Sequence, residues 1–182
     1  MDADPIGNAD LALIFRALDF AALKHRDQRR KDSEQSPYIN HPIALANVLI
    51  NEAQVTDPLV IAAAILHDTI EDTETTAAEL ETVFGAEVAE IVLEVTDDKR
   101  LSKDERKRLQ VERAAGASPR AKLVKLADKI CNLRDMLSAP PAGWSLERRR
   151  EYFEWAKAVI DQVRGTHAAL EDSFDRAYAR KP

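Results

Sequence analysis

Eight consecutive apolar residues, Leu59 to Leu66, follow Asp57-Pro58 and end on His67-Asp68. Asp57 can cap a helix N-terminus, and Pro58 suits a first helical position, where no N–H donor is needed. A helix from Pro58 to about Thr69 would be apolar on nearly every side, so it belongs at the centre of a fold rather than on its surface. The His-Asp doublet then brings an imidazole and a carboxylate to the end of a buried element. Both are costly there without a shared partner.

The other periodic segments are also helical, and none reads as a strand. Leu11, Ile14, Leu18, Ala21 or Ala22 and His25 share one face of a first helix. A polar loop follows from Arg26 to Ser36. Pro42 opens a second helix to about Glu52, which should bury Ile43, Leu49 and Ile50. Thr76 and Glu79 have capping-box spacing, with Gly85 closing that short helix. Val88, Ile91, Val92 and Val95 mark the next. Ser102 and Glu105 repeat the capping-box pattern ahead of a polar helix to about Ala114. Ser118-Pro119 starts a helix that buries Val124, Ala127 and Cys131 and carries Asp128. Ser145 begins the last long segment, with Tyr152, Trp155 or Ala156, Val159 and Val163 on one side and a break at Gly165. The pattern predicts one all-α, compact multi-helix domain over residues 1–182.

Charge narrows the function. The net charge of −6 lacks the basic field of a general nucleic-acid or membrane-surface binder. One cysteine, Cys131, cannot form an internal disulfide, which fits a reducing compartment. The start of the chain, MDADPIGNAD, has no signal-peptide pattern, and no apolar run approaches the ~20 residues that span a bilayer. The expectation is a cytoplasmic protein.

Four residues are candidate metal ligands: His41, His67, Asp68 and Asp128. Two nitrogens and two carboxylates suit Mn²⁺, Fe²⁺ or Mg²⁺, and the lack of thiolates argues against a structural zinc site. Glu71 and Asp72 follow the doublet by one turn and lie on its side if the helix continues. A carboxylate there can orient a water or take its proton. The string Lys24 to Asp32 is locally basic and its loop returns to His41, which suits phosphate binding. Asn132, one turn past Asp128, should face the same pocket, and Tyr152 can offer a ring and hydroxyl to a base. His25 reads as a packing residue and His167 has no assigned role. No Gly-rich phosphate loop or nucleophile elbow occurs.

These residues resemble a known family. Arg29-Arg30-Lys31-Asp32, Pro37-Tyr38-Ile39-Asn40-His41-Pro42, Leu66-His67-Asp68-Thr69-Ile70-Glu71-Asp72, Val95-Thr96-Asp97-Asp98-Lys99 and Leu123 to Lys129 with Asn132-Leu133-Arg134 are similar to strings of the HD superfamily of metal-dependent phosphohydrolases. Within it they resemble the (p)ppGpp hydrolase domain of RelA/SpoT proteins, in the small single-domain metazoan form. Gly143-Trp144-Ser145 and Glu151 to Trp155 extend the likeness, which runs from about Leu11 to Ala169.

The resemblance implies one Mn²⁺ on His41, His67, Asp68 and Asp128. It implies water activation by Glu71 and Asp72. Nucleotide contacts would come from Arg30, Lys31, Asn132 and Tyr152, with Arg148 near the phosphates. The implied reaction removes the 3′-pyrophosphate of ppGpp or pppGpp, giving GDP or GTP. With no synthetase following, the chain is expected only to degrade this alarmone. Two alternatives share the site: a phosphatase acting on the 2′-phosphate of NADPH or on another nucleotide, and a catalytically silent nucleotide-binding module. The implied partner is a small nucleotide, with no nucleic acid and no membrane; nothing in the sequence reads out an oligomeric state.

Overall fold

A computed structural model describes residues 7–182. The reading of the first six residues lies outside them. The described residues form α-helices in the order α1 (Asn8–Lys24), α2 (Asn40–Asn47), α3 (Pro58–Leu66), α4 (Thr69–Asp72), α5 (Ala77–Phe84), α6 (Ala86–Val95), α7 (Lys103–Ala114), α8 (Pro119–Ser138), α9 (Leu146–Asp161) and α10 (Ala168–Tyr178). A π-helical turn, Val48–Glu52, continues α2. Among the described residues the only β pairing is an isolated bridge between Arg29 and Pro37, inside the basic loop.

Helix α3 is the hub, as its lack of a polar face requires. It packs against α1, α2, α6 and α8. Every residue from Val60 to Leu66 is buried. Each large side chain among them contributes about 1.5–3 kcal/mol by leaving water. The Asp57 side chain accepts from the Leu59 N–H at 3.0 Å and also holds the Arg120 Nε at 2.8 Å, tying the start of α3 to α8.

Helix α3 stops earlier than the sequence suggests. It ends at Leu66, and His67-Asp68 form the joint to the one-turn α4. Side chains close the end: Thr69 Oγ1 donates to the Leu66 carbonyl at 2.7 Å, and His67 Nδ1 donates to the Ala64 carbonyl at 2.8 Å. Both carbonyls would otherwise lack an intrahelical partner. Glu71 and Asp72 therefore sit on a separate short helix, not on an extension of α3.

Other expectations shift in detail. Helix α2 starts at Asn40, before Pro42, which puts His41 in its first turn. The inward face carries His41, Leu45, Val48 and Leu49, so Ile43 points outward and is 45% exposed, contrary to the expected burial. Leu11 is likewise 42% exposed, because α1 packs through the small Ala17 and Ala21 and through His25 at its end. Ser102 and Glu105 form the full capping box. At α5 only half of one forms: Thr76 accepts from the Glu79 N–H at 3.1 Å, while the Glu79 carboxylate pairs with Lys24 at 2.7 Å. The break at Gly165 is present, and α10 follows it, capped by His167.

Candidate metal centre

The end of α3, the start of α2 and the middle of α8 meet at one point. His41 Nε2 lies 3.3 Å from Asp128 Oδ1, and His67 Nε2 lies 3.9 Å from the same oxygen. His67 Nε2 is 2.9 Å from Asp68 Oδ2. Ligand atoms ~2.1 Å from one cation and at right angles stand about 3 Å apart, so these spacings fit a shared ion. The His41, His67 and Asp128 donor atoms all lie within 4.8 Å of one another, and both histidines are buried. The residues present can thus hold a divalent metal through two imidazoles and carboxylate oxygen, a hard-to-borderline set.

Surrounding groups fix the donors. The His67 Nδ1–H bond to Ala64 turns its Nε2 toward the centre. The Tyr38 hydroxyl donates to Asp68 Oδ2. Asn132 Nδ2 donates to Asp128 Oδ1 at 2.6 Å, and Lys129 Nζ pairs with Asp128 Oδ2 at 2.8 Å. Lys129 is itself buried and lies 4.5 Å from the Trp155 ring centre.

The electrostatics follow from these contacts. Burial pulls His41 below its ordinary range, more strongly than Asp128 raises it. Burial also opposes the charged form of His67, but Asp68, Asp128 and the Ala64 carbonyl together outweigh it and push His67 up to about 9. Burial resists ionisation of Asp68 and Asp128 as well. The His67 cation holds Asp68 low, and Lys129 with the two histidines holds Asp128 well below the carboxylate range.

Glu71 and Asp72 separate here. Glu71 accepts from the Asp97 N–H at 3.2 Å and from Arg106 Nη1 at 3.3 Å. Burial, with Asp68 and Asp97 nearby, pushes it up to about 7. It borders a small cavity of about 60 Å³ with His67, Asp68 and Asp128. Asp72 is paired with Lys99 and lines a different, larger cavity in front of His41.

That front cavity is about 370 Å³ and is walled on one side by the basic loop. Arg30 and Lys31 line it, together with Asn132 and Tyr152. Arg30 is bound to Asp135 and lies 5.7 Å from the Tyr38 ring centre. Ala44, Met136, Ala139 and Pro141 give the cavity an apolar side. Arg148 is not brought to it. It stacks at 4.0 Å over Trp144 and lines a neighbouring cavity of about 200 Å³, which shares Trp144 and Tyr152 with the front one.

Tyr38, Asp97, Arg106, Lys129 and Asp135 join the site beyond the residues that the sequence singles out. Tyr38 was open to inference, three residues before His41 in the same string. The pairings of Arg106 with Glu71 and of Asp135 with Arg30 join distant segments and leave no local signal.

An all-helical domain with a His-Asp doublet at a buried helix joint, joined by a second His and a second Asp, defines the class of His/Asp metal-site domains. The HD domain family matches residues 17–153, and the chain belongs to that family. It is 55% identical over 173 residues to human guanosine-3′,5′-bis(diphosphate) 3′-pyrophosphohydrolase MESH1, covering 95% of this chain and 97% of that protein. The Drosophila melanogaster MESH1 is 51% identical, covering 93% and 95%. A solved structure of a metazoan ortholog of SpoT that hydrolyses ppGpp superposes with a TM-score of 0.90 at 51% identity, over 93% of this chain and 95% of that one. Among the described residues no helix is long and apolar enough to cross a membrane.

Proposed function

We propose that this protein hydrolyses the 3′-pyrophosphate of ppGpp and pppGpp to give GDP or GTP and pyrophosphate, using one Mn²⁺. The observation that carries this reading is the junction of two features. A buried His/Asp donor cluster opens onto a cavity with a basic wall and an apolar wall. The relatives named as ppGpp hydrolases match the chain almost end to end.

His41, His67, Asp68 and Asp128 would hold the ion, which when bound would supply Lewis-acid polarisation of a phosphoryl oxygen and acidify a water. Mn²⁺ fits two imidazoles and two carboxylates with positions left for water. Glu71, poised near neutrality by burial, takes the proton from the water. Asp72, on the cavity side, orients that water and is steadied by Lys99. Arg30 and Lys31 meet phosphate oxygens, for which guanidinium and ammonium groups are suited. Tyr152 and Asn132 contact the nucleoside, with the apolar wall against the base. Arg148, one cavity away, reaches phosphates that extend past Tyr152. The single cysteine, which fits a reducing compartment, supports a cytoplasmic location for this one-domain enzyme.

Product analysis tests this. Incubation of the Mn²⁺-loaded protein with ppGpp should yield GDP and pyrophosphate, resolved by ion-exchange chromatography. Orthophosphate in place of pyrophosphate, or turnover of NADPH with ppGpp left intact, would move the reading to a monoester phosphatase on the same centre.

A further inference from the structure

A cavity of about 450 Å³ lies behind Glu71, between the end of α6, α7 and the start of α8. It shares no lining residue with the front cavity. Two of its residues, Gln110 and Lys125, also line the small cavity beside His67, Asp68 and Glu71. The metal centre thus has space on two sides, with Asp72 facing the front one and Glu71 the rear.

The charges in the rear cavity are unequally matched. Each acid on its wall already has a hydrogen-bond donor, a cation for Asp98 and Glu112 and a neutral group for Asp97 and Glu94. Asp97 accepts from Gln110 at 2.7 Å, and Asp98 is held by Arg100 at 2.7 Å. Glu94 accepts from the Ser118 N–H at 2.7 Å, and Glu112 pairs with Arg108 at 2.6 Å. The cations differ. Arg113 forms no ion pair among the described residues. Lys125 is only 9% exposed, and among the described residues its ammonium makes neither a hydrogen bond nor an ion pair. Arg106 gives one Nη1 contact to Glu71, and its buried Nε has no partner among the described residues.

A buried ammonium with no carboxylate in direct contact is costly, even with Asp128, Asp97 and Glu94 in its surroundings. Burial, with Lys129 nearby, accordingly pulls Lys125 down to about 8. Water in the cavity mouth solvates it in part; an oxyanion would match it in charge as well.

From this placement we propose that the rear cavity is a binding site for a small phosphate-class oxyanion, held by Lys125, Arg106 and Arg113. Three donors around one cavity match the several acceptor oxygens of such an ion. Arg106 would touch the anion and Glu71 together, so occupancy of the rear site would be felt at the metal centre. The anion chemistry stands independently of the reaction above. Pyrophosphate as its source rests on that reading, since the product would form one side-chain layer away; free orthophosphate is the other source.

Calorimetric titration of the Mn²⁺-loaded protein, with saturating GDP in the front cavity, tests the site. Inorganic pyrophosphate and orthophosphate are the two probes. Binding should persist with GDP present. It should weaken at least tenfold in Arg113→Gln, a surface change away from the metal ligands, and in Lys125→Met, and stay unchanged in Lys31→Ala. Tighter binding of pyrophosphate than of orthophosphate supports the product as the source, and equal binding supports free phosphate; both uphold the site. The proposal fails if neither anion binds, if GDP displaces both, or if Arg113→Gln binds as well as the parent protein. Arg113→Gln decides the matter even where Lys125→Met does not fold.

Discussion

Glu71 and Asp72 are adjacent in the chain yet border different spaces, Glu71 beside His67 and Asp128 and Asp72 in the front cavity. The division follows from the joint at His67-Asp68, which ends α3 and turns the next four residues into a helix of their own. Two carboxylates that look equivalent in the sequence therefore face different surroundings. Burial pushes the Glu71 carboxyl up to about 7, while Asp72 is ion-paired with Lys99.

Glu71→Gln should lower kcat about 10²–10⁴-fold, the range for loss of general acid–base catalysis. Bound metal, measured by atomic absorption, should be unchanged, because Glu71 is not among the clustered donors. A parent-like rate in this variant would remove Glu71 from the water-activating role.

The raised Glu71 group also makes stability depend on pH. Its folded value, about 7, lies above the ordinary 4.5. The metal-free protein therefore keeps this contribution fully below about pH 4.5 and loses it as pH rises through 7. In thermal melts of metal-free protein, Glu71→Gln should remove that decline. A parent curve that is flat over the same window would contradict the assignment.

Metal binding should itself be pH-linked. His67 is raised to about 9 in the metal-free protein, and its Nε2 must shed a proton to ligate. Apparent affinity for Mn²⁺ should rise with pH and level off above about 9. Calorimetry in buffers of different ionisation enthalpy should show proton release at neutral pH. Saturating metal at a hundredfold its Kd should also stabilise the fold by about 2.7 kcal/mol.

Tyr38→Phe tests the support of Asp68. The variant keeps the ring but removes the hydroxyl that donates to the carboxylate. Loss of such an outer partner costs about 10–100-fold in metal affinity or activity. The expected result is weaker Mn²⁺ binding with a parent-like rate at saturating metal, read by titrating metal into the stripped variant.

Arg30 is held by Asp135 in the front cavity. Arg30→Ala should raise KM for ppGpp at least tenfold, since a charge-assisted contact is lost and Asp135 is left facing an anionic substrate. Asp135→Asn should move KM the other way, because it frees Arg30 and removes a like charge. Opposite shifts in steady-state kinetics would support the pairing; equal increases would show that Asp135 serves the substrate directly.

Much of this was legible in the sequence because the signals are local. Asp57-Pro58, Ser102 with Glu105, Ser118-Pro119 and Ser145 each cap a helix with atoms a few residues away. The all-apolar α3 could lie only at the centre. What escaped is what depends on distant partners. The early end of α3 needs the Thr69 and His67 side chains to cap carbonyls, and so competes with an apolar run that reads as continuous helix. Ile43 was read as buried from its type, but its face is set by His41 turning inward. Arg148 has the right chemistry for phosphate, yet stacking on Trp144 turns it into a neighbouring cavity. That the Lys125 ammonium touches none of the acids around it is visible only in the folded arrangement.

The most direct measurement adds Mn²⁺ stepwise to chelator-stripped protein and follows pyrophosphate release from ppGpp alongside bound metal. The rate should climb linearly and stop at one equivalent per chain, and Asp128→Ala should stay flat throughout. Full turnover in stripped protein, or in Asp128→Ala, would contradict a metal-dependent hydrolase built on His41, His67, Asp68 and Asp128.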